Sequence, residues 1–159
     1  MTDKPTPRVV LDTSALFSPS LRRALQTAAI RGAFTPVWSP WIIGELYRVL
    51  TWSWLERTRD FSAANQAACS RSAKTMTDIL ITTFAVVTPV PPYPPAWSSL
   101  TDLDDQPVWA AAKLGGASYV VSENSHDFPP RGADGRHTHE GIEYLPARAL
   151  LDRLARGEA

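Results

Sequence analysis

The sequence has little cysteine, no long apolar run and no excess charge of either sign. Cys69 is the only cysteine among 159 residues, so an internal disulfide or a cysteine-based zinc site is excluded, and we expect a reducing, cytoplasmic setting. No stretch reaches the roughly 18 uncharged apolar residues of a membrane-spanning helix, and no signal segment is recognisable. Sixteen basic residues balance sixteen acidic ones, so net charge gives no indication of a nucleic-acid partner.

The composition is that of an ordinary folded domain. With 44% hydrophobic and 20% charged residues, the chain lacks the compositional bias of disordered proteins. Its length suits one domain, which we assign to residues 1–159, with the polar, proline-containing residues 1–7 as a flexible N-terminus. Five prolines between residues 89 and 95 predict a rigid, extended connector.

Short apolar runs alternate with segments of helical periodicity along the chain. Strands are predicted at 8–11, 34–38, 84–87, 118–121 and 142–145, and helices at 21–31, 40–55, 62–84, 105–114 and 146–155. The buried positions predicted for the longest helix are Ala64, Ala67, Ala68, Ala73, Met76, Ile79 and Leu80. Alternation of this kind predicts a three-layer α/β/α sandwich around a mainly parallel sheet.

Acidic and amide side chains occur where these elements meet. Asp12 follows the first strand, Asn124 and Asp127 follow the fourth, and Asp105 begins a helix. Glu45 borders the apolar stripe of another helix, where an unpaired carboxylate is unfavourable. Ligands of open α/β sheets bind beyond the carboxyl ends of the strands. Carboxylates gathered there repel one another unless a cation offsets them, so the pattern predicts a site for Mg²⁺ or Mn²⁺. Asp105 alone could equally be a helix cap.

Four segments, in this order, resemble the PIN-domain ribonucleases. They are residues 9–16 (VVLDTSAL), 39–46 (SPWIIGEL), 105–117 (DQPVWAAAKLGGA) and 119–128 (YVVSENSHDF). With the last strand and helix, the resemblance covers nearly the whole chain. It implies a compact α/β/α domain whose acids bind Mg²⁺ or Mn²⁺ and activate water to cut RNA.

The resemblance also implies roles for individual residues. Asp12 and Asp105 match the acids that bind the metal directly, and Glu45 matches a third acid that binds it directly or through water. Ser14 could add a hydroxyl ligand. The implied reaction is metal-assisted hydrolysis of a phosphodiester, in which the metal polarises the phosphate and lowers the pKa of water.

The chain departs from the family pattern at two places. Most relatives carry a fourth acid where this chain has Asn124, and an amide can bind metal or water but cannot act as a base. Asp127 is the candidate replacement. The second departure is the cluster of Asp102, Asp104 and Asp105, among which Asp105 keeps the family spacing and the other two are predicted to be loop or cap acids.

Two further groups of side chains have competing interpretations. His137 and His139 lie in a glycine-rich stretch without a third partner, so a solvated loop is favoured over a metal motif. A set of arginines and tryptophans flanks Glu45 and could bind single-stranded RNA, but a partner-protein or dimer surface, or simple core packing, is favoured. That set comprises Arg48, Trp52, Trp54, Arg57 and Arg59.

The sequence therefore favours a metal-dependent endoribonuclease. By family analogy it would be the toxin of a toxin–antitoxin pair, with an antitoxin protein and a second copy of itself as partners. The alternative is a catalytically weak PIN-like module that binds RNA or protein, which the amide at Asn124 and the lack of basic excess would suit. A phosphatase or receiver fits less well, because Asp12 lacks a second aspartate two residues on and Glu45 would have no role.

Overall fold

A six-stranded sheet forms the centre of the computed structural model, which describes residues 5–159. Its strands are β1 (Arg8–Leu11), β2 (Thr35–Trp38), β3 (Ala85–Val86), β4 (Tyr119–Val121), β5 (His137–His139) and β6 (Ile142–Leu145). They lie in the order β3-β2-β1-β4-β6-β5, and every neighbouring pair is parallel except β5 with β6. Because β1 lies between β2 and β4, the direction of strand succession reverses beside it, which is where ligands of such sheets bind.

Within residues 5–159, six helices accompany the sheet. They are α1 (Thr13–Phe17), α2 (Pro19–Ile30), α3 (Pro40–Thr58), α4 (Ala63–Ile81), α5 (Gln106–Leu114) and α6 (Ala147–Arg156), with a short 3-10 helix at Ser125–Asp127. The side chains of β1 and β4 from Val9 to Leu11 and at Val120 and Val121 are fully buried, as expected for parallel strands covered on both faces. The predicted α/β/α sandwich with a mainly parallel sheet is confirmed.

The N-terminal prediction falls partly on residues that the structure does not describe. The flexible segment was predicted at residues 1–7, and residues 1–4 lie outside the described part of the chain. Pro7 is already tied to the sheet, since its carbonyl oxygen accepts a hydrogen bond from the Thr35 amide at 2.8 Å. Among the helices of residues 5–159, none has both the length and the hydrophobicity needed to cross a bilayer.

The long helix α4 shows where periodicity alone misleads. Ser62 caps it as predicted, accepting a hydrogen bond from the Asn65 amide. The helix ends at Ile81, short of the predicted residue 84, and its buried face consists of Cys69, Ala73, Thr77 and Leu80. Three of the predicted buried positions, Ala64, Ala67 and Ile79, are exposed. Alanine is so common along this helix that hydrophobicity does not select one face.

The segment predicted as a solvated loop is instead a hairpin at the sheet edge. His137–His139 pairs antiparallel with β6, and Glu140 and Gly141 form the turn with positive φ at both positions, the geometry that two-residue hairpins favour. The His139 ring packs 5.5 Å from the Trp97 ring. The loop prediction was therefore wrong, because Trp97, which supports the edge strand, comes from a distant part of the chain.

A partly buried ion pair joins α6 to the sheet. Glu143 accepts two hydrogen bonds from the Arg153 guanidinium, at 2.6 and 2.7 Å, and only 9% of its side chain is exposed.

Arg153→Met would leave this carboxylate with Arg136 at 3.8 Å, so we expect the free energy of unfolding to fall by about 2 kcal/mol. Urea denaturation tests this. Arg156→Met, which breaks the exposed pair with Glu158, is the control and should change it by less than about 0.5 kcal/mol; equal effects would contradict the prediction.

Candidate active site

The candidate site is a small cavity at the carboxyl ends of β1 and β4. Asp12 follows β1, and its amide donates to the Val121 carbonyl at 2.9 Å, which locks the two strand ends together. The cavity has a volume of about 10 Å³, close to the minimum that holds one water molecule. Its polar lining is Asp12, Asp105, Ser122, Asn124 and Asp127, and its apolar lining is Leu100, Val108, Phe128 and Tyr144.

Two serine hydroxyls hold the Asp12 carboxylate. The hydroxyls of Ser14 and Ser122 donate to Oδ2 of Asp12 at 2.9 and 3.0 Å, and lie 3.0 Å from each other. Ser14 in turn accepts a hydrogen bond from the Glu123 amide at 2.9 Å. The first turn of α1 and the end of β4 thereby fix the orientation of this carboxylate, as the supporting residues of metal sites do.

Asp105 lies at the start of α5 without capping it. Its side chain makes no cap hydrogen bond, and its Oδ2 is buried without a hydrogen-bond partner in the described part of the chain. Burial comes first among the causes that raise the pKa of Asp105 to about 7; the negative charge of Asp127 and a hydrogen bond with its carboxyl group come next, and the charges of Asp102 and Asp12 follow. Asp105 therefore occupies the N-cap position without the side-chain hydrogen bond of a helix cap, and the pocket holds an oxygen that lacks a compensating positive charge.

Asn124 contacts Asp127, its predicted replacement. The Asn124 side-chain amide donates to Oδ2 of Asp127, and its backbone amide donates to the Ser122 hydroxyl at 3.1 Å. Asp127 belongs to the 3-10 helix that follows β4. The amide thus holds a neighbouring carboxylate that lines the cavity, so an acid lies near position 124 although residue 124 is not acidic.

Glu45 lies beside the cavity and is not part of its lining. Its Oε2 accepts a hydrogen bond from the Thr13 hydroxyl at 2.7 Å, so the residue after Asp12 connects α3 to the site. Burial raises the pKa of Glu45; the charges of Asp12 and Asp104 also raise it, while the Thr13 hydrogen bond and Arg48 lower it. Of the three principal acids, Asp12 and Asp105 therefore line the same cavity, and Glu45 does not.

Some residues of the site were not predicted from the sequence. Ser122 is at the end of β4, so strand-end position could have identified it. In the sequence, Thr13 was only part of the stretch Asp12-Thr13-Ser14 and was given no role. Tyr144 gave no signal at all, because its place in the cavity depends on the pairing of β6 with β4; burial raises the pKa of its hydroxyl above the ordinary value, followed by the charges of Asp12 and Asp105.

The donors suit a hydrated cation better than an all-protein cage. Within residues 5–159, no three His, Cys, Asp or Glu side chains are gathered closely enough to hold a metal ion by themselves. Mg²⁺ commonly keeps several waters and binds through one or two carboxylates together with substrate phosphate. Asp12 and Asp105 provide such a pair, and the partnerless Oδ2 of Asp105 is an atom that a cation would satisfy.

Comparison with known proteins identifies a family. A family model described as a PIN domain matches residues 8–126, which is well over half of the chain. The matched segment begins with β1 and ends one residue before Asp127, so it contains the other four predicted site residues. Among curated proteins, none matches the sequence significantly.

Proposed function

The chain belongs to the PIN-domain family, whose members are generally nucleases, and from that premise we propose that it is a metal-dependent endoribonuclease that hydrolyses RNA phosphodiester bonds. The observation that carries the proposal is the meeting of Asp12, Asp105 and Asp127 in one cavity. The buried Asp105 oxygen without a hydrogen-bond partner supports it. Such a pocket is electrostatically unfavourable unless a cation enters it.

Each residue of the site has a distinct part in this proposal. Asp12 and Asp105 would hold Mg²⁺ or Mn²⁺, which when bound polarises the phosphate and lowers the pKa of water. Ser14 and Ser122 keep Asp12 oriented. Asp127, held by Asn124, would accept a hydrogen bond from the attacking water.

Glu45 would act from the edge of the cavity. Thr13 holds its carboxylate through the 2.7 Å hydrogen bond, and its pKa is raised chiefly by burial. Because Glu45 does not line the cavity, it would contact the cation through water, one of the two modes that the family resemblance implies.

Cleavage of labelled RNA tests the proposed activity. Purified protein should cut mixed-sequence RNA with Mg²⁺ or Mn²⁺ and should lose this activity in EDTA. Asp152→Asn is the matched control, because Asp152 is exposed on α6 and remote from the site in the sequence; it should cleave like the unmodified protein. Well-folded protein that binds RNA but never cuts it under any metal condition would support a non-catalytic PIN-like module instead.

We also propose that the protein acts as a toxin restrained by an antitoxin protein, and that it works as a homodimer. The support is the family resemblance. Inducible expression of the unmodified chain in bacteria should arrest growth, whereas Asp12→Asn at equal protein level should not. Unimpeded growth with active nuclease present would contradict the toxin role and leave the nuclease proposal standing.

A further inference from the structure

An open groove lies between the end of α1 and the middle of α3. It has a volume of about 590 Å³, and Phe17, Val49 and Trp52 supply its apolar lining beside Arg48. Phe17 and Trp52 are 42% and 56% exposed and line the same groove, so two accessible aromatic side chains lie together there. The two helices that form the groove also carry or follow acids of the site: α1 starts directly after Asp12, and α3 carries Glu45.

The groove and the Glu45 carboxylate beside the cavity share one face of α3. Glu45, Arg48, Val49 and Trp52 are spaced at i, i+3, i+4 and i+7, so they lie on one face of the helix. Arg48 is close enough to Glu45 to lower its pKa. Trp52 lies about 10 Å along the helix axis from Glu45, at 1.5 Å per residue, a distance that a short stretch of single-stranded RNA spans.

The groove separates a cationic end from an aromatic end. Arg48 is exposed and makes no hydrogen bond or ion pair within residues 5–159, so its guanidinium is available to a phosphate. Glu56 lines the far side and disfavours a phosphate there. The Trp52 ring packs against the Phe61 ring, and the two ring centroids are 6.1 Å apart. This arrangement suits an RNA segment whose phosphate lies at Arg48, near the cavity, and whose base lies at Trp52, farther from the cavity.

We propose that this groove is a nucleobase-binding subsite, in which an unpaired base of the RNA substrate stacks on Trp52 and Phe17 while Arg48 contacts the adjoining phosphate. The subsite rests on the proposed ribonuclease activity, since it positions the same RNA that the acidic cavity would cut. Base stacking on aromatic side chains is tolerant of sequence and needs an unpaired base. The groove therefore selects single-stranded RNA over duplex.

The two tryptophans near the C-terminal end of α3, Trp52 and Trp54, have different surroundings. Trp54 is partly buried against the core and also borders α4, whereas Trp52 faces the groove. Of the two, only Trp52 belongs to the subsite. A protein-docking surface has less support, because Arg48 and the shared α3 face connect the groove to the acids.

Equilibrium binding in EDTA, where no cleavage occurs, tests the subsite. Short fluorescein-labelled single-stranded RNA is titrated and followed by anisotropy, beside a duplex of the same sequence. Trp52→Ala should weaken single-strand binding about 5- to 100-fold with little change for duplex, and Trp52→Phe should retain most of the affinity. Arg48→Ala should weaken binding and reduce its salt dependence.

Matched controls use exposed side chains on α4. Ile79→Ala and Arg71→Ala remove an apolar and a basic side chain outside the groove and should bind RNA like the unmodified protein. Unchanged RNA binding by Trp52→Ala would overturn the subsite. If Trp52→Ala binds RNA like the unmodified protein but no longer forms dimers in light scattering, the groove is a protein interface and the subsite proposal is overturned.

The same proteins separate this proposal from the nuclease proposal. If the unmodified protein cuts RNA and Trp52→Ala raises KM with little change in kcat, the subsite is supported. If cleavage occurs and Trp52→Ala matches Ile79→Ala in both constants, the subsite alone fails. Trp52-dependent binding without any cleavage would uphold the subsite and defeat the nuclease proposal.

Discussion

Asp12→Asn should lower kcat for RNA cleavage by at least about 100-fold, because it removes a charge from the carboxylate that both serines orient. Loss of a supporting residue at a metal site typically costs 10- to 100-fold, and loss of a direct ligand should cost more. Single-turnover cleavage at saturating Mn²⁺ measures the effect. The asparagine is nearly the same size, so folding should be preserved and circular dichroism should show an unchanged spectrum.

A graded series makes this prediction specific. Ser122→Ala keeps the Asp12 carboxylate but removes one of the two hydroxyls that hold it, so we expect an intermediate loss of about 10- to 100-fold. Asp152→Asn should show none. If Ser122→Ala lost as much activity as Asp12→Asn, or if Asp12→Asn stayed active, Asp12 would not have the role assigned to it.

Asp105→Asn should stabilise the metal-free protein at alkaline pH while abolishing cleavage. The folded-state pKa of Asp105 is about 7, against about 3.9 in an unfolded chain. Below pH 4 the carboxyl is neutral in both states and has no effect. As the pH rises from 4 through 7, the unfolded chain loses this proton first, so stability falls. Asparagine removes that penalty.

Chemical denaturation in EDTA at two pH values measures this effect. At pH 8 Asp105→Asn should be more stable than the unmodified protein by an amount on the order of 1–2 kcal/mol, once solvent screening is allowed for. At pH 4 the two should be equal. Adding Mn²⁺ at pH 8 should stabilise the unmodified protein and leave Asp105→Asn unchanged. A variant less stable than its parent at pH 8 would contradict the account.

The elements that carry the site were predictable because their signals are local. Val9 to Leu11 form a continuous apolar run ended by an acid, and Tyr119 to Val121 repeat the pattern, so both strands and the polar residues after them could be located. Parallel pairing then brings Asp12 and Asn124 to one edge. Pro40 and the apolar stripe up to Leu55 likewise predicted α3 with Glu45 on it.

What the sequence could not supply depends on contacts between distant segments. The burial of Asp105 follows from the packing of α5 against the strands. The hairpin of His137 and His139 forms because Trp97 lies against it. The hydrogen bond between Thr13 and Glu45 joins residues whose separation along the chain gives no hint of contact.

The groove also depends on a contact between distant segments that the sequence could not supply. Trp52 and Arg48 were visible as an aromatic-basic set, and a protein interface was the favoured interpretation. Phe17, at the end of α1, forms the opposite wall of the groove that holds Arg48 and Trp52, a placement that the sequence did not indicate. Helix α1 was not among the predicted helices, because its five residues are too few to show a helical period.

The most direct test of the account is the location of a bound cation. Crystals of the protein soaked in Mn²⁺ would be measured at a wavelength where manganese scatters anomalously. The account predicts an anomalous peak in the cavity between Asp12 and Asp105, and its loss in crystals of Asp105→Asn. A peak elsewhere, for example at His137 and His139, or no peak in protein that cleaves RNA with Mn²⁺, would contradict it.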